Sequence, residues 1–303
     1  MKILIVCSKN SGKIAPFITE QVNALSEQGI KTDYFTIEQK GWKGYLNSRT
    51  LLLRKIKEFQ PDIIHAHYGL SGLLANTQRK IPVITTYHGS DINDNTVFRF
   101  SKVSIILSAH NIFVSQKNID KARVKKKISL IPCGVNTAFF YPQDKKACRA
   151  KLNLDTDKKY VLFAGAFDNN VKNPFLAKSA VSKLDNVELL ELKGYSREEV
   201  VWLINAVDVC LMTSHTEGSP QFIKEAMACN CPIVSVNVGD VEEIIDDTPH
   251  CYIVSSYQAE EIAERILLVL QSTERTNGRE KMMKSDLDIN SVANKIITIY
   301  KSI

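Results

Sequence analysis

The chain has 303 residues, 44% of them hydrophobic and 24% charged, with a formal net charge of +6. That is the balance of a soluble globular protein with room for two domains of ordinary size. No stretch reaches the roughly 18–20 apolar residues of a bilayer span, and the opening MKILIVCSKNSGK is too short an apolar run for a signal peptide. Seven cysteines without a C-x-x-C spacing argue against a disulfide framework or zinc site and for reduced, buried thiols in a cytosolic protein.

The charge is uneven. Residues 1–143 carry 20 Lys and Arg against 9 Asp and Glu, a formal +11, while the remainder carries 19 against 24, or −5. A basic first half points to an anionic partner. No nucleic-acid motif or aromatic-studded basic stripe is present, and an anionic membrane surface or lipid-phosphate acceptor fits at least as well as nucleic acid; a merely solvated basic face is the bland alternative.

In chain order, residues 2–7 read as a strand, followed by a loop containing Gly12 and a helix from about Pro16 to Gln28. Gly29 ends that helix and Lys31 to Ile37 forms the next strand, a βαβ unit with a parallel sheet. The loop SKNSGKI is no P-loop, because the first glycine is missing and Ile14 replaces the required Ser or Thr. Gly12 instead lets the backbone approach a ligand phosphate at a helix start. A basic helix over Arg49 to Phe59 has Leu52, Leu53, Ile56 and Phe59 on its apolar side. It reads as a core helix with a solvated face, or as a short rest on a membrane.

His65 and His67 share one face of a strand. A metal would need further ligands that the nearby sequence does not supply. A third strand, from Ile81, ends at His88, which stands over a crevice rather than in the core. Two short strands, ILSAHNIFVS and KKISLIPCGV, flank a basic helix from Gln116 to Lys127. Tyr141-Pro142 marks a domain boundary, and Lys158 to Phe167 opens the second domain as a strand running into Gly165. Asp155 and Asp157 precede that strand, at the wrong end for a metal-binding D-x-D.

The most informative stretch runs from Val207 to Val236: a buried strand, a polar loop, a helix and another strand. Ser219 is placed to cap the helix and Pro220 to occupy its first turn, with Phe222, Ile223, Ala226 and Met227 on the apolar face. Asn230 and Pro232 end it. Glu217 lies in the loop, Glu225 eight residues later, and the amides of Gly218 and Ser219 lie between them at the helix N-terminus. Two carboxylates around an anion nest suit a ligand with hydroxyls at both ends and phosphate in the middle. Two solvated helix-end charges are the plain alternative.

EGSPQFIKEAMACNCPIVS, with Gly239-Asp240 after it, resembles the E-x7-E signature of retaining family 4 glycosyltransferases of GT-B fold. The resemblance extends over nearly the whole chain. It implies an α/β architecture of two Rossmann-like domains facing across a cleft. The N-terminal domain, residues 1–143, would be completed by a terminal helix (286–303) that crosses back to it, and residues 144–285 would bind the nucleotide sugar. By the same resemblance His88 sits beside the donor sugar, Lys172 neutralises the diphosphate, Glu217 binds sugar hydroxyls and Glu225 the ribose. Gly12, Tyr195, Gly218, Ser219 and Pro220 complete the donor site, Tyr195 near the base. Ala166 departs from the pattern, standing where relatives carry an arginine.

The implied function is metal-independent transfer of a sugar from a UDP- or GDP-type donor, without a cofactor. The acceptor would be a hydroxyl, in a lipid-linked glycan intermediate of cell-surface polysaccharide synthesis. The expected location is cytoplasmic, peripheral on the inner membrane face. A non-catalytic nucleotide-sugar-binding subunit and a nucleotide-sugar epimerase of the same fold are the alternatives.

Overall fold

Short apolar runs alternate with amphipathic stretches, and most of the runs become parallel strands. The computed structural model describes residues 1–10, 12–39 and 41–303, and the side chains of all these except Trp42, Lys43 and Leu46. The chain divides into two compact units, Met1–Gly134 with Ile289–Ile303, and Val135–Asp288.

The first unit runs β1 (Lys2–Ser8), α1 (Pro16–Glu27), β2 (Lys31–Ile37), α2 (Gly41–Asn47), α3 (Arg49–Phe59), β3 (Ile63–His67), α4 (Gly69–Asn76) and β4 (Val83–Tyr87). It continues with α5 (Ser90–Asn93), α6 (Asn95–Leu107), β5 (His110–Phe113), α7 (Gln116–Ala122) and β6 (Ile128–Leu130). Among the described residues these form a six-stranded parallel sheet of order β2-β1-β3-β4-β5-β6. Central β1 is apolar along its length, as a strand covered on both faces must be, and Ile3 to Cys7 are fully buried. Gly29, at φ +84°, ends α1 in the left-handed conformation that glycine adopts without strain.

Two expectations in this unit are overturned. Ile106 and Leu107 belong to α6, not to a strand, and only His110–Phe113 pair in the sheet. The reason is close packing: a Cβ on Gly69 or Gly72 of α4 would come within 2.0 and 2.3 Å of the Oγ of Ser101 and Ser104, so these small residues let α4 and α6 touch. The basic helix stops at Ala122, with Arg123 left-handed at φ 55°. Beyond it, three successive lysines offer a helix only like-charge repulsion, while Val124 turns in to pack beside Ile119 and Ile128.

The second unit runs α8 (Lys145–Lys151), β7 (Lys159–Phe163), α9 (Pro174–Val181), β8 (Val187–Glu191), α10 (Arg197–Ala206), β9 (Val209–Met212) and α11 (Gln221–Ala228). It ends with β10 (Ile233–Val236), α12 (Val241–Ile245), β11 (Cys251–Val254), α13 (Ala259–Leu270) and α14 (Gly278–Lys284). Its parallel sheet has the order β11-β10-β9-β7-β8. Both sheets are wound in two directions from one strand, so each has a switch point: between β1 and β3 in the first, between β7 and β9 in the second. Crevices for ligands open at the carboxyl ends of the strands at such points.

The terminal helix α15 (Ile289–Ser302) returns to the first unit, as expected. Its Val292, Ala293, Ile296 and Tyr300 pack in one cluster with Ile18, Val22 and Leu25 of α1. All seven cysteines are free thiols, six of them buried.

Candidate functional site

In the second unit the switch point is built by glycines that bring backbone close to charged side chains. A Cβ on Gly165, just past β7, would lie 2.8 Å from Cγ of Lys172, so the lysine stem lies directly on this backbone. The short 3-10 turn Asn170–Lys172 is clamped to the loop after β9: Thr213 Oγ1 lies 3.0 and 2.9 Å from the carbonyl oxygens of Lys172 and Asn173, and the His215 amide donates to the Val171 carbonyl at 2.9 Å. Lys172 is thereby aimed at the next segment. Its Nζ donates to Glu217 Oε1 at 2.6 Å, with both side chains largely covered. Opposite, Gly239 at φ +59° leaves room for the Gly218 carbonyl, which a Cβ would meet at 2.5 Å.

The second carboxylate is also paired. Glu225 on α11 is 4% exposed and its Oε1 accepts from Arg197 Nη2 at 2.7 Å, while the Arg197 guanidinium rests 4.4 Å from the centre of the Phe140 ring. Tyr195, two residues before Arg197, is 40% exposed in the turn that Gly194 makes at φ +83°. The structure thus brings together Lys172, Glu217, Gly218, Ser219, Pro220 and Glu225 around one loop.

The cap of α11 differs from expectation. The helix starts at Gln221 with Pro220 at its N-cap and no side-chain cap bond. The Ser219 hydroxyl accepts instead from Nζ of Lys224, at 2.9 Å. Lys224 is fully buried and the other α11 residues from Phe222 to Ala228 are buried too, so the helix has no solvated face. A buried ammonium is held by partners, and it prefers the hydroxyl to leaving that hydroxyl on the backbone. Asp240 is buried nearby and burial pushes its carboxyl up to about 6, against the pull of Lys224. Reading the sequence alone misses both Lys224 and Arg197. The only signals are a lysine beside the apolar face of a short helix and an arginine at a helix start, which everywhere else denote solvated charges.

The first unit places a column of three stacked histidines at the ends of β3 and β4. The ring centres of His65 and His67 are 4.7 Å apart, those of His67 and His88 5.2 Å. His65 is fully buried, with Nδ1 2.5 Å from the hydroxyl of Tyr300 on α15 and Nε2 2.7 Å from Thr86 Oγ1. His67 Nδ1 lies 3.0 Å from His88 Nε2, and His88 Nδ1 lies 3.5 Å from the Cys133 thiol. Burial lowers the pKa of His65 to about 3 and that of His67 well below its ordinary value. Both rings are therefore neutral. Both His65 nitrogens and His67 Nδ1 serve hydrogen bonds, His67 Nε2 is buried without a partner, and among the described residues no group of three or more His, Cys, Asp or Glu is placed to hold a metal.

Asp91 fixes the turn that carries His88. Its carboxylate accepts from the amides of Gly69, His88 and Gly89, each at 3.0 Å, and Gly89 stands at φ +111°, open to glycine alone. Burial pushes the Asp91 carboxyl up to about 6 despite those donors. Beside this turn, a cavity of about 610 Å³ opens between Ser8, Asn10, Lys13, Tyr45, Tyr68 and Asp94. Gly12 makes a turn at φ +86°, its amide donating to the Lys9 carbonyl at 2.9 Å.

A doubly wound parallel sheet in each unit, with charged loops at the switch points, defines the class. Residues 14–139 match the family model Glycosyltransferase Family 4, and residues 146–272 match Glycosyl transferases group 1. The chain has a GT-B-like fold, and its two halves are related to these two groups. A protein of Bacillus subtilis named for a glycosyltransferase step of teichuronic acid biosynthesis is 24% identical over 250 residues, covering 72% of this chain. The chain spans 64% of that relative's length. Among solved structures, sucrose-phosphate synthase from Thermosynechococcus elongatus superposes with a TM-score of 0.86 at 20% identity, covering 99% of this chain and 98% of its own. HepE of Anabaena, solved with UDP and glucose, gives 0.78 at 16% identity with both chains fully covered. Likenesses at this level of identity concern the fold. Among the described residues, no helix is long and apolar enough to cross a membrane.

Proposed function

We propose that this chain transfers a sugar from a nucleotide diphosphate sugar, of UDP or GDP type, to a hydroxyl acceptor with retention of anomeric configuration. The observation that carries the reading is the Lys172–Glu217 pair, 2.6 Å apart and laid over Gly165 at the switch point of the second sheet. Such a pair is an exchangeable one. When a diphosphate enters, Lys172 turns from the carboxylate to the phosphate oxygens, helped by the amides of Gly218 and Ser219. Glu217 is then released to accept from donor-sugar hydroxyls. Glu225 keeps Arg197 on one oxygen and offers the other to the ribose.

The acceptor oxygen would attack the anomeric carbon on the face from which the diphosphate departs, and its proton would pass to the departing phosphate oxygen. Charge on the leaving group is met by lysine and amides, so this chemistry asks for no divalent metal. His88 would stand beside the sugar, with His67 and Asp91 holding its ring and backbone. The acceptor would enter the cavity of the first unit as a lipid-linked glycan intermediate of cell-surface polysaccharide assembly. The protein would work in the cytoplasm, peripherally on an anionic membrane.

Calorimetric titration of UDP, GDP, ADP and their common sugar conjugates, first without metal, tests the donor site. Tight binding of one nucleotide without metal is expected, and binding to none of them would sink the assignment. Binding of a conjugate without release of nucleoside diphosphate to any acceptor would favour a binding subunit, the reading that Ala166 supports.

A further inference from the structure

One face of the first unit combines features that sugar transfer does not use. Residues 94–130 carry eight Lys and Arg against two Asp, a surplus as large as the formal charge of the whole chain. Along α6 the outward positions are Arg99, Lys102, Val103 and Ile106, which recur at helical spacing. Ile106 is 80% exposed and Val103 44%. Lys125, Lys126 and Lys127 follow α7 and are all exposed. The two groups are neighbours, because the Asn111 side-chain amide donates to the carbonyls of both Ile105 and Lys127, at 3.1 and 3.5 Å.

We infer that this face, the carboxyl-terminal half of α6 with the lysines before β6, docks on an anionic lipid bilayer. The inference rests on the membrane-associated reading above and names its contact surface. β6 pairs only with β5 among the described residues, and lysines beside a free strand edge also discourage pairing with other chains. That role accounts for Lys125–Lys127. It does not account for two apolar side chains held out in water on a helix beside them. An acidic interface with an apolar interior meets both demands: lipid headgroups take the lysines, and the acyl boundary takes Ile106 and Val103. Nucleic acid would meet only the charge. Helix α3, a basic helix of the same unit, lacks the combination, since Leu51 is its one exposed apolar residue and Leu52 is fully buried.

The test is co-sedimentation of the full chain with vesicles of phosphatidylcholine alone and of phosphatidylcholine with about one third phosphatidylglycerol, at low and high salt. Binding to the anionic vesicles alone, released by salt, is expected. Replacing Lys125, Lys126 and Lys127 together by Glu should weaken it by at least about tenfold. Ile106→Ser, which leaves the charge unchanged, should weaken it by about threefold or more. Arg54→Glu with Lys57→Glu on α3 should change it less than twofold. Thermal melts and nucleotide titration on the same variants check that the fold and donor site are intact. Absence of binding to anionic vesicles, binding lost only in the α3 variant, or tighter binding to duplex DNA than to vesicles would each overturn the inference. Vesicle binding without any nucleotide binding would sink the enzymatic reading and leave this surface standing.

Discussion

The two switch points solve the same placement problem with opposite chemistry. In the second unit the groups at the strand ends are ions in pairs, Lys172 with Glu217 and Arg197 with Glu225. In the first they are neutral rings in a buried column, His65 anchored to Thr86 and Tyr300 and His67 to His88. The partly covered Lys172–Glu217 pair is weakly stabilising and easily exchanged for a charged ligand. Buried neutral hydrogen bonds are costly to break and hold a geometry. The difference teaches which unit is built to change partners on binding and which to present a fixed surface.

If that contrast is right, the largest effect belongs to Lys172. Lys172→Ala should lower kcat by about 10²–10³-fold, as loss of one preorganised charge donor to a leaving group does. A steady-state assay of nucleoside diphosphate release reads it, and a variant with wild-type kcat would take Lys172 out of the chemistry. Glu225→Ala comes next and should weaken donor binding by about 1.5–3 kcal/mol, the range for hydrogen bonds to a charged group. Calorimetry with the nucleotide alone should show the same loss as with the full donor. A loss confined to the full donor would move Glu225 from ribose to sugar.

In the first unit, Tyr300→Phe should cost about 1–3 kcal/mol of stability by leaving a buried His65 nitrogen without its partner. Urea unfolding measures it, and nucleotide affinity should stay as in the wild type. A fall in nucleotide affinity without a fall in stability would reverse the contrast.

Acidity separates the units more gently. His65 titrates at about 3 in the fold and His67 also well below its ordinary value, so unfolding binds protons that the fold refuses. The stability they contribute is present above the ordinary histidine range and is lost as pH falls through it towards 3. Asp240, raised to about 6, has the opposite sign: its contribution is present below the ordinary aspartate range and is lost as pH rises through 6. Asp91 in the first unit shares that sign and offsets one of the two histidines. Between pH 7 and 5, hydrogen exchange in β3 and β4 should therefore speed up relative to β9 and β10. Equal change in both, or replacement of His65 by Gln without effect on the difference, would remove the histidines as its cause.

The smallest effect is expected from Ala166→Arg, which should tighten nucleotide diphosphate binding by less than about tenfold, because Lys172 and the amides of Gly218 and Ser219 would already meet the phosphates. Weaker binding in a stably folded variant would show that the place is taken.

Much of this molecule is legible in its sequence. The strands from Lys2, Lys31, Ile63 and Val209, the helix from Pro16 and the terminal helix follow from apolar runs, Gly29 and Pro16, because those signals are local. The strand ends that carry His88, Gly165 and Glu217 follow too, since polar residues after an apolar run mark where a strand leaves the core. Local pattern fails at α6, where Ser101 and Ser104 are small to admit the glycines of α4, and at α11, which is buried all round and so has no polar face to read.

What the sequence by itself determined is the alternation of strands and helices and the residues at the strand ends, set by spacing along one chain, with the two Rossmann-like domains implied by the family resemblance. Only the tertiary structure decided which of those residues are partners. Lys172 meets Glu217 across 45 residues, Arg197 meets Glu225 across 28, and His65 meets Tyr300 across 235. The choice of a counter-charge depends on desolvation and distance in the folded core, and neither quantity is written in the spacing of residues along the chain.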